Sequence, residues 1–238
     1  MIATYRDISR LTRRSFLKGG IAATAGFGTW IWIRESYQEG GLPKPLRRAE
    51  QADDVLSHAL FNETRLARTF DAADIGEARA NGDFGLADDP DADWKLEIDG
   101  ANPVTLDQIR ALPKIEEITQ FKCIEGWNFI MKWGGAKFSD FAEAHAVSLT
   151  GKPWVGFETP DGEYYVGLDR ASAMHPQTLL AYEMNGEPLT NEHGAPLRLL
   201  IPVKYGIKNL KRIGKITFSD VRPRDYWAEN GYDYDSGF

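Results

Sequence analysis

Cysteine is almost absent from this chain of 238 residues, which contains only Cys123. One cysteine cannot close a disulfide within the chain, and it cannot supply the four thiolates of a typical iron–sulfur cluster. Three interpretations of a lone cysteine remain open: a small buried hydrophobe, a nucleophile activated by one of the four histidines, or a thiolate ligand for a soft metal. The composition therefore excludes a disulfide scaffold and leaves the role of the thiol to its surroundings.

Long apolar runs are missing as well. The uncharged run at residues 19–33 has 15 residues, fewer than the roughly 20 that span a bilayer squarely. Arg13 and Arg14 precede it in a pattern typical of a twin-arginine export signal. No convincing cleavage site follows, and Trp30 and Trp32 suit a membrane interface, so a cleaved signal and an uncleaved anchor both remain open. The sequence predicts export to the periplasm through the twin-arginine machinery.

Positive charge is scarce beyond residue 34, where 22 basic residues face 34 acidic ones, a net charge of about −12. This balance argues against nucleic-acid binding, which requires a basic footprint. Residues 198–215 are an exception, with six Lys or Arg and no acidic residue. Such a run is usually a solvated face, but here Gly206, Gly214 and Asn209 interrupt it, so backbone N–H groups could also approach an anionic ligand.

Short alternating segments dominate the rest of the chain and predict strands, with few helices and no regular βαβ alternation. The predicted strands are residues 94–98, 115–121, 129–133, 154–157, 164–168, 178–184, 197–201 and 212–218. Short helices are predicted after Thr105 and Ser139 as N-caps, and a further helix after Asp53. The fold class is therefore α+β with a β-rich core.

Three regions follow from this pattern. They are a signal or anchor at residues 1–34, a linker and N-terminal wrap at residues 35–92, and a single compact core at residues 93–238. Within the core, Cys123 follows a predicted strand and precedes Gly126, a position where sites are commonly built on a rigid support. The adjacent Lys122 would favour a thiolate, although neighbouring strand residues point to opposite faces.

Three motifs in order extend this interpretation. They are Cys-Ile-Glu-Gly-Trp at residues 123–127 with Trp-Gly-Gly-Ala at 133–136, His-Pro-Gln-Thr-Leu-Leu-Ala-Tyr-Glu-Met-Asn-Gly at 175–186, and His-Gly-Ala-Pro-Leu-Arg-Leu-Leu-Ile-Pro at 193–202 followed by Lys-Tyr-Gly. Over residues 93–227 the chain resembles the sulfite oxidase family of molybdopterin-dependent oxidoreductases. It resembles most the bacterial periplasmic branch that contains the methionine sulfoxide reductase catalytic subunit.

The resemblance implies a molybdenum–molybdopterin cofactor with Cys123 as the metal ligand and the catalytic thiolate. The positions that match cofactor-binding residues of the family are Thr159, His193, Arg198, Asn209, Leu210 and Lys211. Asn62 and Arg65 are weaker candidates for cofactor contacts in the segment before the core. His175 is expected to have a structural role, because a histidine there more often satisfies a buried hydrogen bond than performs catalysis.

The resemblance also implies oxygen-atom transfer, with reduction of an S-oxide such as protein methionine sulfoxide as the expected direction. Electrons would come from a membrane haem subunit or a soluble cytochrome. The segment at residues 161–168 is shorter than in the reductase, and Tyr226 and Trp227 could line the substrate entrance. Three alternatives remain: a sulfite dehydrogenase, a cofactor-free exported binding module, and a cysteine hydrolase that would require His145, His175 or His193 beside Cys123.

Overall fold

A helix of 31 residues, α1 (Tyr5–Glu35), comes first in the described chain. The structure is a computed structural model that describes residues 5–39, 42–86, 93–145 and 150–237. Two short antiparallel strands follow α1, namely β1 (Gln38–Glu39) and β2 (Leu42–Pro43). Across these ranges, no helix contains an apolar stretch long enough to cross a membrane.

Helix α2 (Lys44–Leu60) contains the helix predicted after Asp53, but it begins earlier, at Lys44, within a stretch expected to be a linker. Pro45 lies in the first turn, where its missing N–H removes no intrahelical hydrogen bond. Arg47 and Glu50 form an ion pair of 2.7 Å one turn apart. The glycines and prolines that suggested a linker end at Pro45, and the residues beyond it are mostly good helix formers.

Two five-stranded sheets form the scaffold of the remaining chain. The first contains β5 (Lys114–Lys122), β6 (Asn128–Lys137), β9 (Leu179–Met184), β10 (Glu187–Pro188) and β11 (Arg198–Leu200). The second contains β3 (Lys95–Ile98), β4 (Val104–Thr105), β7 (Trp154–Glu158), β8 (Tyr165–Asp169) and β12 (Lys215–Ser219). Four short helices join them: α3 (Leu106–Arg110), α4 (Phe138–Ala144), α5 (Arg170–Ala173) and α6 (Tyr226–Glu229). Single 3₁₀ turns lie at Ala72–Asp74, Asn191–His193 and Gly206–Lys208.

The strand order is β10-β9-β6-β5 in the first sheet, with β11 also paired to β9, and β4-β3-β12-β7-β8 in the second. The pairs are antiparallel except for β3 with β12. This confirms the predicted α+β, β-rich class. It also confirms Thr105 as the N-cap of α3, where its side chain accepts from Gln108 N. The Ser139 cap is wrong, because α4 already begins at Phe138 and Lys137 takes the cap position.

The first sheet buries apolar residues on both faces. Along β9, Leu180 and Tyr182 join the main core, whereas Leu179 and Ala181 join a second cluster on the opposite face. The alternation follows from the two-residue period of a strand. The segment before residue 87 covers the second cluster, since Phe70 N donates to Ile118 O and thereby bonds to the outer edge of β5. The sheet is thus a rigid support with chain packed on both sides.

The chain divides into two compact units, Met1–Ala52 and Asp53–Phe238. The three regions inferred from the sequence stay a prediction. Residues 87–92 of the predicted wrap lie outside the described part of the structure.

Candidate functional site

Cys123 lies at the end of β5, in the tight connection to β6. Its N–H donates to Trp127 O at 2.9 Å, and Gly126 N donates to Cys123 O at 3.1 Å. Gly126 has a φ of +90°, which a side chain would disfavour. Because β5 and β6 pair along their whole length, the connection holds the thiol in a fixed position.

The thiol has a carboxylate neighbour. Cys123 Sγ lies 3.8 Å from Glu125 Oε2, and the same oxygen accepts from Trp127 Nε1 at 2.7 Å and from Asn81 Nδ2 at 3.3 Å. Burial raises the pKa of the Cys123 thiol, and the Glu125 charge adds to the effect. Lys122 does not offset this, because its side chain lines a different cavity. The contacts of Sγ within the described residues include no histidine, so they give no Cys–His pair.

A cavity of about 130 Å³ opens beside the thiol, and five of the predicted site residues line it. They are Cys123, His193, Arg198, Asn209 and Lys211. No carboxylate side chain belongs to this lining within the described structure. The cavity therefore combines one thiol with a group of cations, as an anionic ligand requires.

Arg198 is the most buried of these cations, with 2% of its surface exposed. Its Nη1 donates to His193 O at 3.0 Å and its Nη2 to Asn209 O at 3.2 Å. Its Nε has no hydrogen-bond partner among the described residues. Burial lowers the pKa of Arg198 to about 10. The guanidinium thus keeps an unused donor and an uncompensated charge.

Lys211 and His193 are brought together by a glycine. Gly194 has a φ of +97°, and a Cβ there would lie 2.9 Å from Lys211 Cα, so only glycine allows the two segments to approach this closely. Lys211 Nζ donates to Gly82 O at 2.9 Å. Burial, with a smaller contribution from the Arg198 charge, lowers the pKa of Lys211 to about 8. The same two causes lower the pKa of His193.

Aromatic residues form the rest of the wall. Phe84, Trp127, Tyr164 and Trp227 all line the cavity, and the rings of Phe84 and Tyr164 stack at 6.0 Å. The guanidinium of Arg79 lies 4.7 Å from the centre of the Trp127 ring. The prediction that Trp227 lines an entrance agrees with its position in this wall.

Three lining residues escaped the sequence analysis: Arg79, Asn81 and Phe84. They lie on an irregular segment without periodicity, so no pattern singled them out. The residue types alone could have marked this segment as a candidate, since an arginine, an asparagine and a phenylalanine occur within six residues. Lys211 and Arg212 hold the segment through Gly82 O and Gly85 O.

Four predicted site residues lie outside the lining. Asn62 and Arg65 line a separate cavity together with Lys122. Leu210 is fully buried in the main core. Thr159 is 2% exposed and lies behind the wall, where its Oγ1 accepts from Tyr164 N at 3.1 Å. The roles of these residues toward a cofactor stay predictions.

His175 lies in a hydrogen-bonding environment of the kind expected for a structural residue. Its Nδ1 accepts from Gln177 N, and its Nε2 lies 3.2 Å from Arg65 O. Gln177 in turn bonds to both backbone groups of Ala67. The second motif thus attaches the segment at residues 65–67 to the core.

A larger cavity, of about 750 Å³, lies against β7, β8 and β12. None of the predicted site residues lines it. The thiol cavity is therefore the candidate site on chemical grounds rather than by size.

Comparison with known proteins agrees with this site. The family model of the oxidoreductase molybdopterin binding domain matches residues 84–227. A putative protein-methionine-sulfoxide reductase subunit from Azospira oryzae is 37% identical over 150 residues, which cover 61% of this chain and 56% of that protein. A protein-methionine-sulfoxide reductase catalytic subunit from Campylobacter jejuni is 36% identical over 153 residues, covering 56% and 52%. The chain spans about half the length of the curated relatives it matches.

A solved structure shares the fold. The sulfane dehydrogenase SoxCD from Paracoccus pantotrophus superposes with a TM-score of 0.52 at 19% identity, covering 58% of this chain and 41% of that one. The predicted sulfite-oxidase-type fold is thereby confirmed. The predicted resemblance to the methionine sulfoxide reductase branch is confirmed by the two relatives above.

The residues present fit a molybdenum–molybdopterin cofactor. A soft metal prefers a thiolate, and Cys123 places one at the cavity wall. An anionic cofactor needs cations that no protein carboxylate has already neutralised, and the buried Arg198 Nε is such an unused donor. The predicted cofactor is thus supported by the donor set as well as by the comparison. Since the match extends over more than half of its length, the chain belongs to the family of oxidoreductases with a molybdopterin binding domain.

Proposed function

We propose that this protein is an exported molybdenum-dependent reductase of S-oxides, with a substrate such as protein methionine sulfoxide. The observation that carries the proposal is the cavity in which the only cysteine meets Arg198 and Lys211 without any lining carboxylate. The names of the two relatives support the choice of an S-oxide.

Residues at different positions along the cavity have different roles. When bound, the cofactor supplies a metal centre that exchanges an oxygen atom and electrons with the substrate. Cys123 holds the metal end, and ligation there would favour the thiolate over the thiol. Arg198, Lys211, His193 and Asn209 hold the anionic end by charge and by hydrogen bonds.

The aromatic wall suits the substrate end. Phe84, Trp127 and Trp227 present apolar surface that would accept the methyl and methylene groups beside a sulfoxide. They also exclude water, which strengthens electrostatic interactions in the cavity. The role assigned to Trp227 as an entrance residue belongs to this proposal.

Electrons come from another protein in this proposal, because one cysteine cannot supply the four thiolates of a typical iron–sulfur cluster. A membrane haem subunit or a soluble cytochrome is the proposed donor. The word subunit in the names of both relatives supports a multi-protein system.

Export through the twin-arginine machinery into the periplasm is the proposed route. Arg13 and Arg14 precede the uncharged run, and the whole segment is part of α1. An uncleaved signal that anchors the protein to the membrane remains the alternative to cleavage. Replacing both arginines with lysine is expected to leave the protein in the cytoplasm, as measured by cell fractionation.

Sulfite oxidation is the second candidate, and Arg79 is the observation that favours it. Sulfite is a dianion, so its binding would use an arginine at the cavity mouth. Arg79 contacts the Trp127 ring, and no ion pair of Arg79 with a carboxylate occurs among the described residues.

The test compares the two reactions in one preparation. Wild type is assayed for methionine sulfoxide reduction with a chemical electron donor, and for sulfite oxidation with a chemical acceptor. We expect reduction of the S-oxide, and a change of less than about fivefold in Arg79→Gln, since removing one exposed contact costs less than about 1 kcal/mol. Sulfite oxidation that collapses in Arg79→Gln, without S-oxide reduction, would overturn the proposal in favour of the second candidate.

A further inference from the structure

A second cluster of metal-binding side chains involves none of the residues that line the thiol cavity. It contains His58 on α2, Asp169 at the end of β8, and Asp235 near the C-terminus. One ligand atom from each side chain lies within 4.8 Å of the other two. The three residues also line a common cavity of about 210 Å³. They come from distant parts of the sequence, so the fold rather than local chain geometry brings them together.

Asp235, a member of this cluster, has an unsatisfied side-chain oxygen. The residue is 6% exposed, and its Oδ1 accepts from Lys204 Nζ at 2.6 Å. Its Oδ2 is buried and has no hydrogen-bond partner within the described residues. A buried carboxylate oxygen without a partner is rare and unfavourable. Ligation of a cation would give this oxygen a partner.

The surrounding charges do not balance. Asp54 pairs with Arg222 at 2.7 Å, and Asp235 pairs with Lys204. Asp169 is 7% exposed, and within the described residues its carboxylate accepts from the backbone and hydroxyl of Ser172 and pairs with no cation. The two cations therefore leave one of the three carboxylates without a counter-charge.

We propose that His58, Asp169 and Asp235 bind a divalent cation of the zinc class as a structural site. An imidazole and two carboxylates are a ligand set that zinc accepts, and a fourth position would be left to water. Ligand atoms around a tetrahedral zinc lie about 3.4 Å apart, whereas those of the cluster lie within 4.8 Å of one another, so zinc binding requires the cluster to contract by up to about 1.4 Å. The exposed side chain of His58 can make that movement, since it has no hydrogen bond or ion pair in the described structure.

The site explains how the end of α2 is held. The helix has no buried residue, so packing contributes little to its position. A metal that joins His58 to β8 and to the C-terminal segment would link three elements with one ion. The role is structural and separate from the proposed redox reaction.

The test uses purified, cofactor-loaded protein that has been dialysed against a chelator. Zinc chloride is titrated into wild type, His58→Gln and His145→Gln, and binding is followed by calorimetry and by the shift in thermal unfolding temperature. His58→Gln removes an exposed ligand and is expected to fold. His145→Gln is the matched control, because His145 lies outside the cluster.

We expect one zinc per chain at this site in wild type and in His145→Gln. In His58→Gln the affinity falls at least about tenfold, and zinc no longer raises the unfolding temperature. Any zinc binding to Cys123 in cofactor-free molecules is the same in all three proteins. The difference in zinc affinity between His58→Gln and the other two therefore measures binding at the cluster. Equal zinc affinity in wild type and His58→Gln, or no stoichiometric binding in wild type, would overturn the proposal.

Discussion

Cations of the core occur in two settings in this protein. The buried Lys204 and Lys208 each contact an aspartate, Asp235 at 2.6 Å and Asp225 at 2.5 Å. The buried Arg198 and the half-buried Lys211 form no ion pair with a carboxylate within the described residues, and donate to backbone carbonyls such as His193 O and Gly82 O. Both groups belong to the basic run at residues 198–215, so the sequence gives no distinction between them. The carboxylate partner makes the difference.

The comparison distinguishes cations that stabilise the fold through ion pairs from cations that can bind an anionic ligand. A buried charge is costly unless an opposite charge compensates it. Lys208 also donates to Gly167 O, while Asp225 accepts from Gly167 N, so this pair saturates the outer edge of β8. Arg198 and Lys211 have no such ion pair within the described residues, and burial lowers the pKa values of both groups. An anionic cofactor would provide the missing charge.

The largest expected effect is a loss of stability when a cation that is paired with an aspartate is replaced. In Lys208→Met, Asp225 remains buried without its partner, and the free energy of unfolding should fall by about 3–5 kcal/mol. Urea denaturation measures the change, with Lys215→Met on β12 as the control outside the pair. A loss below about 1 kcal/mol, the range of exposed pairs, would show that Lys208 is not structural.

Lys211→Met makes the same chemical change at a lysine that has no ion pair with a carboxylate within the described residues. Removal of this half-buried charge is expected to alter the stability of the cofactor-free protein only slightly. Cofactor retention should fall by about 10- to 100-fold, because a charge-assisted contact contributes roughly 1.5–3 kcal/mol. Molybdenum and pterin content after dialysis are the measurements. Equal retention in wild type and Lys211→Met would place Lys211 outside the cofactor site.

The pH dependence of anion binding gives a smaller effect. Because the pKa of Lys211 is lowered to about 8, its positive charge is present below pH 8 and is lost as the pH rises through that value. Binding of inorganic phosphate to the cofactor-free protein should weaken by up to about tenfold per pH unit above pH 8. His193 does not contribute, because its lowered pKa keeps it neutral in this range.

Lys211→Arg tests that assignment, since arginine keeps its charge throughout this range. The variant should bind phosphate with little dependence on pH between 8 and 10. A dependence equal to that of wild type would assign the effect to another group.

Much of the fold could be predicted because its signals are local. The alternation in β3, the Asn185-Gly186 turn after β9 and the Thr105 cap each depend on neighbouring residues. The start of helix α2 was not predicted, because Pro45 is compatible with a first helical turn as well as with a linker. The site was predicted where motifs exist, at Cys123 and Arg198, but not at Arg79 and Asn81. Those two enter the cavity through an irregular segment whose path depends on long-range contacts such as Lys211 with Gly82.

The most direct measurement is the molybdenum content of wild type and of Cys123→Ser after export, by elemental analysis with the absorption spectrum of the metal–thiolate bond. We expect about one molybdenum per chain in wild type. In Cys123→Ser we expect loss of the absorption band and at least about a hundredfold loss of activity. Well-folded wild type without molybdenum, or a Cys123→Ser protein with unchanged absorption and activity, would contradict this expectation and would favour a cofactor-free binding module.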